Sequence, residues 1–109
     1  MSVSAFQTSP SIAIPNGDTR SNKFGFKDYA QGGFITPADF TGVTVSFEVS
    51  TDGVTFVPFR NSAGTLVSIV VAPSGAYAFP LDLFPYPWVR LVSGTAEGGD
   101  RTIQLALKY

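Results

Sequence analysis

The stretch at residues 42–59, GVTVSFEVSTDGVTFVPF, limits what this chain can fold into more than any other. Val43, Val45, Phe47 and Val49 recur at every second position, with Thr44, Ser46, Glu48 and Ser50 between them. Successive strand side chains point to opposite faces, so this is a half-buried strand with one apolar face and Glu48 on the other. Asp52-Gly53 follows, then a second β-rich run over residues 54–59. Asp-Gly between two such runs predicts a tight hairpin, because glycine supplies the positive φ that the turn needs.

The rest of the chain follows the same period. Residues 3–7 can form a short strand, which Pro10 interrupts because proline donates no ladder hydrogen bond. Ile12 and Ile14 alternate with Ser11 and Ala13 ahead of a Pro-Asn-Gly-Asp turn. Residues 1–22 are therefore expected to be an N-terminal arm with weak edge strands, and residues 23–109 a β-sandwich domain. Phe24 and Phe26 predict a strand with both rings inward. Gln31-Gly32-Gly33 reads as a loop or bulge, and Thr36-Pro37 as the cap and first position of at most one helical turn. Residues 66–71 are apolar on both faces, which predicts a central strand or one covered by a partner. Residues 76–79 give a short strand with Tyr77 and Phe79 on one side, and residues 80–87 (PLDLFPYP) are too rich in proline for regular structure. Two further strands are expected, at 88–92 and 101–109, the last turning Ile103, Leu105 and Leu107 inward.

No stretch of ten or more residues carries a 3.6-residue apolar period. Short strands punctuated by turns point to an all-β single sandwich, jelly-roll-like in the first place and immunoglobulin-like in the second. A chain of 109 residues can bury one core without disulfides or metals. Only 14% of it is charged, against about 25% in an average domain, and it holds ten phenylalanines. That deficit of charge points to surface that meets another protein, although Ser, Thr and Gly can also cover a surface.

The same composition narrows the chemistry. There is no His and no Cys, which removes the usual general base, thiol nucleophiles, disulfides and the commonest metal ligands. A net charge of −1 offers no field for nucleic acid. No apolar run approaches the roughly 18 residues of a membrane span, and the first eleven residues have neither the basic region nor the apolar core of a signal peptide. The carboxylates Asp39, Glu48 and Asp52 read as solvated or turn-forming groups. Glu97 and Asp100 bring too few ligands for Ca²⁺. Neither a cofactor nor a metal site is expected.

The aromatic group Phe84, Tyr86 and Trp88 is the sharpest remaining feature. Phe84 and Trp88 can cap the core while Pro85 and Pro87 stiffen a corner. The group can also serve as a protein interface, or as a stacking platform for sugar rings. Phe6, Ile12 and Ile14 on the arm join these three as possible interface residues.

The order of motifs resembles that of small virion-associated β-sandwich proteins encoded by tailed bacteriophages. ITPADFTG (35–42) leads into VSFEVSTDGVTF (45–56), then the NSAGT turn, then AYAFPLDLFPYPWVRLVSGT (76–95), then RTIQLALKY at the end. The SGTAEGGDR loop is shorter than in many of those proteins. The resemblance covers roughly residues 33–109. It implies a non-enzymatic protein of the capsid surface, a cement or decoration protein that bridges major capsid protein subunits. It further implies a closed homo-oligomer, dimer or trimer, with no nucleic-acid or membrane partner and no catalytic residues. The arm would add a strand to a neighbour. A carbohydrate-binding module and a head–tail or tail component are the alternatives.

Overall fold

The computed structural model describes residues 10–26 and 29–108. The strand expected at residues 3–7, and Phe6, lie outside the described residues. Eight strands follow in chain order: β1 (Ser11–Ile14), β2 (Gln31–Ile35), β3 (Thr44–Ser50), β4 (Val57–Pro58), β5 (Ser68–Val70), β6 (Ala76–Ala78), β7 (Trp88–Ser93) and β8 (Arg101–Lys108). The first sheet runs β1-β8-β2-β6, with every pairing antiparallel. In the second, β3 is central: β7 pairs along one side, and β4 and β5 share the other end to end. Residues 20–24 border β7 through the bridges Arg20–Val92 and Phe24–Val89.

If residues 20–24 are counted as a strand and β4 and β5 as one broken strand, the sheets read 1-8-3-6 and 2-7-4-5. That is the order of a jelly roll, in which an antiparallel ribbon pairing first with last is wrapped into two packed sheets. The expected all-β jelly-roll sandwich is thus the fold. Its β1 is an edge strand, and the described sandwich takes in residues 10–22 as well as the chain from residue 23 on.

Alternation builds the core. On β3, Val45, Phe47 and Val49 are buried; on β8, Ile103, Leu105 and Leu107; on β7, Val89 and Leu91. Between the sheets, Phe79 is the hub of an aromatic cluster, with ring centroids 5.2 Å from Phe26, 5.3 Å from Phe34, 5.7 Å from Phe24 and 5.9 Å from Phe47. Edge-to-face and tilted arrangements let the positive ring edges meet the negative faces.

Several local expectations are corrected. Asp52-Gly53 does sit in the β3–β4 connection with Gly53 at φ 77°, but the turn is not a two-residue one. Val49 pairs with Val57, which leaves a seven-residue loop over 50–56. Asp52 Oδ1 accepts the N–H groups of Val54 and Thr55, both at 2.8 Å, and Ser50 Oγ accepts that of Gly53. These side-chain bonds replace the ladder a tighter hairpin would have made. Val43 precedes the strand and is exposed. Gly32 and Gly33 are strand residues, not a loop. A Cβ on Gly33 would stand 2.5 Å from Tyr77 O, so glycine is there to let β6 approach. Thr36 caps no helical turn; its hydroxyl donates to Ala72 O at 2.6 Å and accepts Gly75 N–H at 2.9 Å, clamping the turn before β6. Residues 81–83 form a 3₁₀ turn in the proline-rich segment. Finally, β5 is an edge strand and not a central one: Val70 is 80% exposed.

Candidate interaction surfaces

The residues singled out in the sequence divide into two groups. Ile12 and Ile14 are buried in the core. Strand β1 lies along β8 with its even-numbered side chains inward, so neither can reach outward while the sandwich is folded. Phe84, Tyr86 and Trp88 form the corner between the 3₁₀ turn and β7, beside a groove of ≈ 440 Å³ that Gly25, Pro85 and Pro87 also line. Phe84 stacks on buried Phe26 at 4.0 Å, and Tyr86 meets Phe59 edge-on at 6.0 Å. The Trp88 indole lies beneath Lys23, whose Nζ stands 4.9 Å from the ring centroid and donates to Gly53 O at 2.9 Å. Phe84 and Tyr86 therefore close the end of the core, and a cation already occupies one face of Trp88. The three rings do not form one open stacking platform.

The outer faces of the two sheets differ in charge. On the second sheet, Glu48 is only 8% exposed although it points outward. Register sets it opposite Arg90, whose Nε donates at 2.6 Å, and Arg20 reaches it from the neighbouring segment at 3.1 Å. The Arg90 guanidinium also lies 4.3 Å from the Phe56 ring centroid. Burial pushes the Glu48 carboxyl upward, but hydrogen bonds and charge from both arginines outweigh it and hold the group below the usual range. On the first sheet, the outward positions of the inner strands are Gln31, Gly33, Ile35, Thr102, Gln104, Ala106 and Lys108, of which Lys108, at the end of β8, alone is charged. A groove of ≈ 590 Å³ lies at its end, beside Gln31, Leu81 and Lys108.

Sequence reasoning missed the structural role of Glu97, a buried anchor. It is 1% exposed. Its carboxylate accepts Thr41 N–H at 2.8 Å, Gly42 N–H at 3.0 Å, the Ser93 hydroxyl at 2.8 Å and Arg101 Nε at 3.0 Å. Asp100 accepts Asn16 N–H at 2.8 Å. Burial pushes the Glu97 carboxyl up, yet these four donors bring it below the ordinary value. The i,i+4 spacing of Glu97 and Arg101 was visible in the sequence, but a loop offers no helical reason to read it as a pair. Among the described residues there is no cluster of three or more His, Cys, Asp or Glu that could hold a metal, and no helix is long and apolar enough to cross a membrane.

A pH dependence follows. Glu48 and Glu97 are depressed in the folded chain, and three hydrogen bonds, from Thr55, Val54 and Ser50, lower Asp52 to about 2. As pH falls, the unfolded chain takes up protons first, which favours unfolding. Stability should be level from neutral pH down to about 5, then fall as these groups titrate. Urea midpoints at pH 7, 5 and 3 test this; an unchanged midpoint at pH 3 contradicts it.

No protein-family model matches this chain, and no curated protein matches it in sequence. Among solved structures it is similar to the crystal structure of the SPBc2 prophage-derived protein YomS. The TM-score is 0.62 at 9% sequence identity, over 100% of this chain and 99% of that one. At that identity the likeness establishes a shared fold, from one end of both chains to the other.

Proposed function

We propose that this chain is a non-enzymatic structural protein of a tailed-bacteriophage virion, a capsid cement or decoration protein. It binds the capsid surface and bridges major capsid protein subunits, and many weak contacts add through repetition over the shell. The observation that carries the reading is the end-to-end fold likeness to a prophage-derived protein, on a chain whose motif order resembles phage β-sandwich proteins. The surface supports it: a sheet face whose inner strands carry one outward charge, Lys108 at the end of β8, and exposed Leu81, Val70 and Val43 outside the buried core. The corner aromatics lend little to the sugar-binding alternative, because Phe84 and Tyr86 pack against the core and Lys23 covers Trp88.

The test is co-sedimentation of the purified protein with bare capsids of its phage, read as mass per particle. Saturation at a copy number matching the shell symmetry is the expected result. No binding, or a few copies per particle, would remove it from the capsid surface and place it at the neck or tail.

A further inference from the structure

The turn after β1 holds a chemically unstable dipeptide. A backbone amide that follows asparagine can attack the side-chain carbonyl, and it does so most readily when the next residue is glycine, which has no Cβ to obstruct the approach. Of the three asparagines in the chain, only Asn16 precedes a glycine. Asn16 and Gly17 are both exposed, and a Cβ built on Gly17 would meet open space. The other two asparagines have tethered side chains. Asn22 Oδ1 accepts Ala13 N–H at 2.8 Å, and Asn61 Oδ1 accepts the N–H groups of Ala63 and Thr65 at 2.9 and 3.0 Å. Among the described residues the Asn16 side chain makes no hydrogen bond. The Asp52-Gly53 pair could close the same ring, but Ser50, Val54 and Thr55 all donate to its carboxylate at 2.8 Å.

The same turn is latched to the loop before β8. Asn16 N–H donates to Asp100 Oδ1 at 2.8 Å and Gly17 N–H to Glu97 O at 2.8 Å, while Glu97 N–H donates to Asp18 O at 3.0 Å. Asp18 N–H closes the turn on Pro15 O at 3.0 Å. Ring closure needs the Gly17 nitrogen to give up its proton, and in the latched chain that proton is committed to Glu97 O. The latch therefore slows a reaction that the Asn16-Gly17 sequence invites, and local opening of the turn admits it.

We propose that Asn16 is a site of spontaneous covalent modification, with a rate set by the latch between the 15–18 turn and the 97–100 loop. Gly17 N loses its proton and bonds to Asn16 Cγ. The bond from Cγ to the side-chain nitrogen breaks, and ammonia leaves with that proton. Water then opens the cyclic imide at either carbonyl, which leaves aspartate or isoaspartate at position 16. Both products add a negative charge to a turn that already carries Asp18 and touches Asp100. Isoaspartate also inserts one atom into the main chain between the two N–H groups that hold Asp100 and Glu97. The loop so released is the one whose Glu97 side chain ties Thr41, Gly42, Ser93 and Arg101 together. A change at an exposed turn thereby loosens a buried anchor.

The test is incubation of the full chain at mildly alkaline pH. Peptide mass mapping with isoaspartate detection reads the site, and anion exchange isolates the modified form. Modification is expected at Asn16 before Asn22 or Asn61, and faster in urea than in the folded chain. Asp100→Ala removes one bond of the latch and should speed it about fivefold. Asp100→Asn keeps an acceptor oxygen and should stay near the parent rate. The Asn61 peptide in the same maps reports general unfolding of either variant and should not change. The isolated isoaspartate form should unfold at lower urea than the parent. First modification at Asn22 or Asn61 overturns the proposal, as does an Asn16 that stays intact in the folded chain over several weeks. An equal rate in urea, a parent-like rate in Asp100→Ala, or a rise at Asn61 matching that at Asn16 removes the latch. An isoaspartate form as resistant to urea as the parent removes the link to Glu97.

Discussion

Glu97→Ala is expected to lower the unfolding free energy by about 3–5 kcal/mol, the range for breaking a buried charged pair from one side. The carboxylate touches three separate parts of the chain: the main chain at Thr41 and Gly42, the end of β7 at Ser93, and the start of β8 at Arg101. Truncation leaves the Gly42 N–H buried without an acceptor and leaves Arg101 with the Thr41 hydroxyl and one ion-pair partner, Asp39 at 3.1 Å, whose side chain is largely exposed. An exposed pair of that kind is worth about 0–1 kcal/mol and cannot compensate. Glu97→Gln keeps the shape and one acceptor oxygen, and should cost about 1–3 kcal/mol. Urea denaturation with matched m-values checks both. The alanine variant should also lose part of the acid sensitivity between pH 5 and 3, since one depressed carboxyl is gone. A loss below about 1 kcal/mol for Glu97→Ala would mean that water or rearrangement satisfies these donors.

Phe79→Ala should be equally severe, at about 3–5 kcal/mol. The side chain is 3% exposed and sits among four other rings drawn from different parts of the chain. Removing it loses the transfer free energy of the ring and leaves a cavity. The surrounding phenylalanines cannot fill that cavity, because Phe34 and Phe47 are held by strands β2 and β3 of opposite sheets. Phe79→Leu keeps most of the volume and should cost about 1–2 kcal/mol. The comparison separates lost packing from lost contact between rings. A thermal midpoint in Phe79→Ala within about 2 °C of the parent would show that the sandwich can collapse around the gap.

The β3 segment shows what was legible in the chain and where legibility stopped. Val45, Phe47 and Val49 were placed inward by period alone and are inward. Glu48 was placed outward, which is correct for its face, yet it is nearly buried. Its cover comes from Arg90, opposite it on β7, and from Arg20, well removed along the chain. Asp52-Gly53 marked the turn, but hydrogen bonds from the Asp52 and Ser50 side chains widened it into a loop. At residues 31–33, glycine signalled a bend when its purpose was close approach of two strands. The aromatic corner was read as core cap, interface or platform, and only the rings beneath it, Phe26 and Phe59, show that Phe84 and Tyr86 face inward.

By itself the sequence determined the period, the turns and the inward face of the long strands β3, β7 and β8, and hence an all-β sandwich. These are properties of neighbours two to four residues apart, where strand geometry and glycine or proline dihedrals act directly. Only the tertiary structure decided that β1 pairs with β8, that β5 and β6 are edges, and that Glu48 and Glu97 are buried among arginines and main-chain donors. Pairing, burial and ion contacts join residues far apart in the chain. Their free energy depends on which surfaces meet once the ribbon is wrapped, a choice that no local pattern records.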